Sequence, residues 1–560
     1  MKKFIALFLL ISICKINTYT YCQLQDPYST KSVNSKKTAS SNSFPAVVTN
    51  GITFFPTPMG VFTYYDLQSN AVPNQIWHDT FIPSQLHAVF MVSPDTNLIN
   101  RYTAYLYSND FGQIWQRLDN VPPSRSGFPS ISGFTNGAAV IANHNNTNST
   151  NVRSKIYYDA GPGFSVFTEL DPGIAPNSVA SLFPRVLGIN SDKILMAVMG
   201  NIVYSNNGII NWSNADNDGA ETYAISQSPS GIIGHTYIGF NPTILYDAFY
   251  RSSTDEGLTW SVPLKIWDWN NNSDSLGVFR GISMVFGNNN QPNVAFEVSK
   301  LTETGFFPNL PSSIRVWNPT VNNGIPVIVA DENNVDFYPN KGNVTDGFLP
   351  LTRPAIGRPT NGNALLLVFN ATTGIYGNDS SSYYKGMFSY SIDYLNWSQP
   401  VRMTPETPLY DWRYFSISQT NYVDGSFIKA NIMCQADSIP GAYVNGSDPF
   451  PAQAVYFTTY DIVGISQITG EVPDNFKLHQ NYPNPFNPIT IIKYQCSMYN
   501  DVSLKVYDVL GNEVLTLVNE KQTAGSYSVT FDGSNFPSGV YFYKLEAGEF
   551  VETKRMILLK

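Results

Sequence analysis

The octapeptide Ser108–Trp115, SNDFGQIW, returns as Ser253–Trp260, STDEGLTW. Both fit Ser-x-Asp-x-Gly-x-x-Trp, and no other feature narrows the fold as much. Two degenerate copies follow the same plan, SNNGIINW at 205–212 and SIDYLNW at 391–397. The four copies start 97, 48 and 138 residues apart. Those gaps approximate two, one and three steps of about 47 residues, a period expected of propeller blades. Tyr158-Asp-Ala-Gly161 is a fifth echo near the missing position. The residue types suit a tight turn between strands. Gly accepts positive φ, Asp bonds the amides of the turn, Ser adds a local bond, and Trp anchors the turn between neighbouring sheets. None of these roles is chemical.

The segments ahead of the motifs repeat as well. Pro129–Asn143 is similar to Pro354–Asn370, with Thr-Asn-Gly at the same offset. Phe183–Val198 and Arg280–Phe296 show the same order of short strand, polar turn and strongly apolar strand. Laid end to end, the units fall near 85–118, 128–167, 181–213, 221–261, 279–330, 353–398 and 413–460, which makes seven. Gly51–Asp66 precedes the first unit and offers a strand to close a ring against the last. Aromatic residues make up 14% of the chain and charged residues only 13%. Long amphipathic helical periods are absent, so the expected class is all-β: a seven-bladed β-propeller followed by a small Ig-like β-sandwich.

The two full motifs resemble the Asp-box, or BNR repeat, of sialidases and many other β-propellers. The resemblance implies that Ser108, Asp110, Gly112, Trp115, Ser253, Asp255, Gly257 and Trp260 are structural, on the blade rim and away from the central pocket. A sialidase site needs three arginines on a carboxylate, a Tyr nucleophile with a Glu partner, and an Asp acid/base. It also carries a Phe/Tyr-Arg-Ile-Pro stretch ahead of the first Asp-box. Here that region holds Arg101 and no such stretch, while Phe183-Pro-Arg185 and Arg353-Pro354 occur mid-repeat. Arg185, Arg280, Arg353 and Arg413 sit near unit starts and are candidates to face the channel together. Glu256, Glu297 and Asp247 are candidates for a glycosidase pair, with solvated or ion-paired loop charge as the plainer reading. The five histidines lack metal-ligand spacing, and the Asn/Asp run WDWNNNSDS at 267–275 lacks an EF-type pattern. No cofactor and no metal are expected, and the catalytic residues stay unknown.

The two ends concern destination. Lys2-Lys3 followed by the apolar Phe4–Cys14 reads as a signal peptide over 1–22, too short to span a bilayer. Residues 23–44 are Ser/Lys-rich and read as a disordered leader. The propeller is assigned to 45–465. From 466 to 560 the texture becomes Pro/Asn punctuation and short alternating strands. This region resembles the type A C-terminal sorting domain of the type IX secretion system, on QNYPNPFNP, VYDVLGNEV, SGVYFYKL and the terminal TKRMILLK. The motif positions are Asn481, Pro483, Pro485, Phe486, Gly511, Gly539, Tyr541 and Lys560. The resemblance implies periplasmic transit, contact with the secretion machinery, and release or display at the cell surface.

Net charge is −9, with no basic cluster, so nucleic acid is not an expected partner. After removal of the signal only Cys434 and Cys496 remain, and stability must come from packing rather than disulfides. The expected function is a secreted or surface-displayed propeller that binds an extracellular glycan or protein without catalysis. A sialidase-like glycoside hydrolase and a structural matrix protein are the alternatives.

Overall fold

The computed structural model describes residues 44–49, 52–97, 99–145, 152–176, 180–213, 222–239, 246–269, 275–302, 305–306, 312–339, 348–378, 380–424, 427–441, 450–460, 476–481, 484–497, 500–522, 525–533 and 536–559. The export signal, the leader apart from Phe44, and residues 270–274 of the Asn/Asp run lie outside the described residues. Two compact units form. One comprises residues up to 422 with 429–459, the other 460–560 with 423–428.

The first unit is a seven-bladed β-propeller. Its blades wind outward in antiparallel order from first strands Ile76–His78, Ser126–Gly133, Arg185–Gly188, Tyr223–Gln227, Leu276–Phe286, Leu351–Pro359 and Asp411–Ile417, and Thr420–Asp424 joins Leu351–Pro359 in parallel on its inner side. Each first strand contacts the first strand of the next blade, and the seventh contacts the first, so they line a central channel. Blade seven continues through Asn431–Asp437 and Ala452–Tyr460. Its outer strand is the N-terminal Ile52–Thr63, flanked by Val47–Thr49. The ring therefore closes with an early strand completing the last blade, as Gly51–Asp66 led us to expect. Closure leaves only short edges.

Around the channel the first strands crowd, and their residues are small. A Cβ on Gly188 would stand 2.4 Å from the Gly133 carbonyl oxygen of the neighbouring blade. Serines in these strands accept amide protons across the gaps. Ser130 accepts from Val186 at 3.1 Å, Ser132 from Gly188 at 3.1 Å, and Ser283 from Ile356 at 3.3 Å. Ser416 accepts from Gln75 at 2.9 Å and Ser418 from His78 at 3.0 Å. Farther out, each gap between blades holds an apolar cluster. The one between blades three and four contains Leu195, Ile202, Ile225 and Ile233. Each such buried side chain contributes about 1.5–3 kcal/mol.

The Ser-x-Asp turns join the third and fourth strands of their blades. In blade four Ser253 donates to Asp255 at 2.7 Å and accepts the Gly257 amide at 2.8 Å, while Asp255 accepts the Thr259 amide at 2.9 Å. Blade one repeats the set, with Ser108 to Asp110 at 2.7 Å, Gly112 to Ser108 at 3.0 Å and Ile114 to Asp110 at 3.0 Å. The residue between Asp and Gly is left-handed in both, Phe111 at φ 62° and Glu256 at 62°. Gly257 follows at φ 94°, where a Cβ would also strike Leu195. Trp115, Trp212, Trp260 and Trp397 each join the cluster between their own blade and the preceding one. In blade two Asp159 fixes the echo turn by accepting the Ser165 and Val166 amides.

The second unit is a β-sandwich. A three-stranded sheet of Lys477–Leu478, Ile489–Cys496 and Gly525–Asp532 faces a four-stranded sheet of Asn500–Tyr507, Glu513–Gln522, Gly539–Ala547 and Phe550–Leu558. Both remaining cysteines, Cys434 and Cys496, are free and fully buried, not half-buried as ordinary thiols would be. No helix among the described residues is long and apolar enough to cross a membrane.

Two outcomes follow. Removing the hydroxyl in Ser416→Ala or Ser418→Ala strands a buried amide, so each is expected to cost about 1–3 kcal/mol in urea unfolding. The second concerns acid. His78, His87, His144 and His235 are all buried, and burial lowers each imidazole, to about 4 at His78, about 3 at His87 and well below the usual value at the other two. The folded state keeps them neutral while the unfolded chain takes up protons near pH 6.5. Their contribution is thus full above that pH and is lost as pH falls toward 4, by about 1.4 kcal/mol per pH unit for each proton. Asp411, pushed up to about 6 by burial against the pull of Arg413, opposes this with one proton, and Asp79 and Asp247, also raised by burial, act in the same direction as Asp411. Urea midpoints are expected to fall from pH 6.5 to 4.5, and less steeply in His87→Phe.

Candidate functional site

The channel has two mouths, an upper one where the first strands begin and a lower one where they end. The candidate arginines belong to the upper mouth. In blades two, three, six and seven the first strand opens through one repeated irregularity, a left-handed residue followed by an irregular step. Phe128, Phe183, Arg353 and Tyr414 take φ of 52°, 56°, 55° and 58°. The pairing register slips beside three of them, in Ser126–Gly133, Leu351–Pro359 and Asp411–Ile417. Phe183-Pro-Arg185 and Arg353-Pro354 are two instances of this device. Left-handed bulky residues carry strain of order 1–3 kcal/mol each, held here by the ring.

The space between the arginines is filled by the chain itself. Leaving the outer strand of blade seven, residues 66–75 run across the upper mouth to start blade one, and Asp66, Gln68, Ser69, Ala71, Val72 and Gln75 are buried there. Arg185 of blade three donates to the Val72 carbonyl at 2.8 Å and to that of Pro184 at 3.0 Å. Arg353 of blade six donates to the Asn70 carbonyl at 2.6 Å. Arg413 of blade seven pairs with Asp411 at 2.6 Å and donates to the Ser382 carbonyl at 3.2 Å. Phe348 lies between two guanidinium groups, 4.9 Å from Arg353 and 4.7 Å from Arg413. Arg280 lies over its neighbour Phe279. Arg101 lies over Tyr65 and Phe128, 5.0 and 5.3 Å from the ring centres. Arg185 and Arg353 thus meet one peptide segment, and Arg353 and Arg413 one ring.

The candidate carboxylates do not gather. Glu297 is fully buried and binds the amides of Arg280 at 3.1 Å and Arg353 at 2.6 Å, and the Thr352 hydroxyl at 2.6 Å, tying blade five to blade six. Asp247, raised by burial against the pull of Lys265, pairs with that lysine at 2.8 Å. Glu256 reaches Lys193 of blade three at 2.5 Å. A Tyr–Glu contact does occur, but Tyr157 and Glu169 face each other on the outer two strands of blade two. Among the described residues no cluster of His, Cys, Asp or Glu has the form of a metal site.

The lower mouth is open. A cavity of about 210 Å³ is bounded by the ends of the first strands of six blades, with Trp77, Phe134, Gln227, Ser228, Arg358 and Gln419 in its wall. Phe81 stands exposed at its rim. Trp77 is seated by Gly133, whose Cβ would fall 2.1 Å from the indole. Gln419 donates to the Ile225 carbonyl across the channel at 2.8 Å. Arg358 donates through Nη1 to Asn288 Oδ1 at 2.5 Å and to the Pro359 carbonyl at 3.2 Å, while its Nε is buried without a partner. Burial lowers this guanidinium, and the Tyr394 hydroxyl works the other way. Sequence reading passed over Arg358 and Trp77. The usable signal was the Arg358-Pro359 pair at the end of a repeated strand, set beside Arg353-Pro354 at its start.

In the sandwich the motif blocks meet. The Tyr543 hydroxyl takes the Asn481 amide at 2.7 Å and donates to the His479 carbonyl at 2.8 Å. Phe486 is bonded on both sides to the last strand, its amide to the Ile557 carbonyl and its carbonyl to the Leu559 amide, each at 2.9 Å. Pro485 follows Asn484, whose side chain accepts the Ile557 amide at 2.9 Å. Gly511, at φ 83°, closes the Asp508 turn, Gly539 opens a strand, and Tyr541 donates to the Pro537 carbonyl at 2.9 Å. Pro483 and Lys560 lie outside the described residues.

Comparison with known proteins gives one family match and several distant folds. Residues 480–559 match the family described as "Secretion system C-terminal sorting domain". No curated protein matches the sequence. Among solved structures, PorZ of Porphyromonas gingivalis, described as an essential bacterial surface component of the type IX secretion system, is similar at 11% identity and a TM-score of 0.39. The match covers 88% of this chain and 60% of PorZ, so the chain spans about three fifths of that protein. A protein of unknown function from Dyadobacter fermentans is similar at 13% identity and a TM-score of 0.38, over 61% of this chain and all of that one. Trypanosoma rangeli sialidase is similar at 10% identity and a TM-score of 0.36, over 91% and 88%. The C-terminal sandwich is a type IX secretion C-terminal sorting domain, and the chain is a β-propeller protein destined for secretion or the outer cell surface.

Proposed function

We propose that the propeller is a non-catalytic binding module for an extracellular glycan or protein, carried outward by the sorting domain. One observation carries this reading: the arginines of the upper mouth are already taken by the chain's own carbonyls and by Asp411. A carboxylate substrate would have to displace residues 66–75, whose side chains are buried and bonded to blade one through Gln68 and Met91 at 2.9 and 3.0 Å. Buried guanidinium groups satisfied by fixed carbonyls belong to architecture, since exposing them again costs the hydrogen bonds they make. The Ser-x-Asp turns have the same standing, with the Ser hydroxyl and the Asp carboxylate of each full motif bonded inside its own turn. The open lower mouth is where a ligand has room. We place the domain boundaries at 45–465 and 466–560 on the same reading.

The test uses the secreted protein on an array of glycans and on extracellular polymer fractions, scored for retention and for loss of a terminal sugar. Retention without loss is expected, and Arg185→Lys is expected to change stability rather than any turnover. Release of a terminal sugar that disappears in Arg353→Lys would overturn the reading in favour of a hydrolase. A chain lacking 466–560 is expected to accumulate in the periplasm when cells are fractionated. Normal surface display of that truncation would remove the sorting domain from the account.

A further inference from the structure

The lower-mouth cavity holds a charge that the protein leaves unbalanced. Arg358 ends the first strand of blade six, and only Nη1 of its guanidinium has bonds, both to neutral oxygens. No Asp or Glu among the described residues pairs with it, in contrast to Arg413, which has Asp411. Arg358 is half-buried, and holding a cation out of water without an opposite charge is unfavourable until a partner arrives. With Nη1 bonded and Nε buried, Nη2 is the nitrogen left to donate to a carboxylate. The rest of the wall has another chemistry. Gln227 of blade four and Gln419 of blade seven bring side-chain amides to the wall, with Trp77 and Phe134 as its aromatic residues, while the Ser228 hydroxyl is held in its own turn by the Ile232 amide and Ser230. The volume of about 210 Å³ corresponds to roughly seven waters, room for one sugar ring and not for a folded loop.

We propose, building on the binding reading above, that this cavity takes the terminal hexuronate of an extracellular polysaccharide. Its carboxylate sits on Arg358, its hydroxyls on Gln227 and Gln419, and a face of the ring on Trp77 or Phe134. A peptide C-terminus offers the same carboxylate. It would occupy only the blade-six side of the cavity, leaving the amides of blades four and seven without hydroxyl partners. A ring bearing several hydroxyls satisfies both sides. The site lies below Arg185, Arg353 and Arg413; of the crossing segment 66–75 only Asn74 reaches its wall, so occupying it does not require the stretch that meets the arginines to move.

The experiment is calorimetric titration of the full secreted protein with oligosaccharides ending in glucuronate or galacturonate. The matching neutral hexose oligosaccharides and an acetylated dipeptide with a free carboxylate serve as comparisons. The uronate oligosaccharides are expected to bind about tenfold or more tightly than the neutral ones, and more weakly as salt rises. Arg358→Gln is expected to abolish that preference and Gln227→Ala to weaken acidic and neutral sugars alike. Arg358→Lys keeps the charge without the fork and serves if the Gln variant does not fold; it is expected to retain part of the preference. Equal binding of acidic and neutral sugars, an unchanged preference in a folded Arg358→Gln, or tighter binding of the dipeptide would each overturn the proposal. Glycan retention on the array without uronate preference would leave the binding module standing and remove only this ligand. Failure of every saccharide to bind would overturn the proposal as well.

Discussion

Seven strands meet around one channel, and the gap between neighbours at that radius is too narrow for most side chains. Gly133, Gly188 and Gly357 let backbones approach, since a Cβ on Gly357 would fall 2.4 Å from the Ser418 carbonyl oxygen. Where a side chain is tolerated it is serine, whose hydroxyl satisfies the amide of the next blade. Large apolar residues are displaced outward into separate clusters between blades. The ring is thus polar and hydrogen-bonded at its centre and oily in its spokes, and every other feature is fitted to that division.

The two mouths have opposite fates because of it. At the upper mouth the strands start through left-handed residues that turn bulky side chains toward the axis, and the crossing segment 66–75 fills the remaining volume. Arginines suit this packing. A planar guanidinium reaches several carbonyls at once and stacks on Phe348 from either side. At the lower mouth the strands end in residues such as Gln227, Arg358 and Gln419 that stop short of one another. The same residue type therefore acts as mortar at one end and as an unbalanced charge at the other.

Much of this was legible before any coordinates. The spacing of the Ser-x-Asp turns gave the blade count because the turn is local: its bonds join residues two and four apart. The sorting blocks were legible because several short stretches recur in a fixed order. Arg185 and Arg353 were correctly singled out as lying near strand starts, but their partners were not visible, since Val72 and Asn70 lie 113 and 283 residues away. Residues 66–75 have no periodicity, and a plug needs none. The serine bonds around the channel escaped for a related reason: serine in a strand reads as a solvent-facing residue, and only closure of the ring makes it interior. Arg358 was hidden by resemblance to its neighbour, one Arg-Pro pair masking another five residues on.

The outer strand of blade seven is made early and its partner late. Ile52–Thr63 pairs at once with Val47–Thr49 on one edge, but its other edge is met by Ala452–Tyr460, so some four hundred residues of chain must be produced before it joins blade seven. Residues 66–75 follow directly and cross to the arginines of blades three and six, so the plug and the clasp are parts of one N-terminal piece. The sorting domain follows the closing strand. The ring of this propeller therefore stays unlocked until Ala452–Tyr460 is in place, and its closure depends on contacts between residues far apart in the chain, which form late in folding.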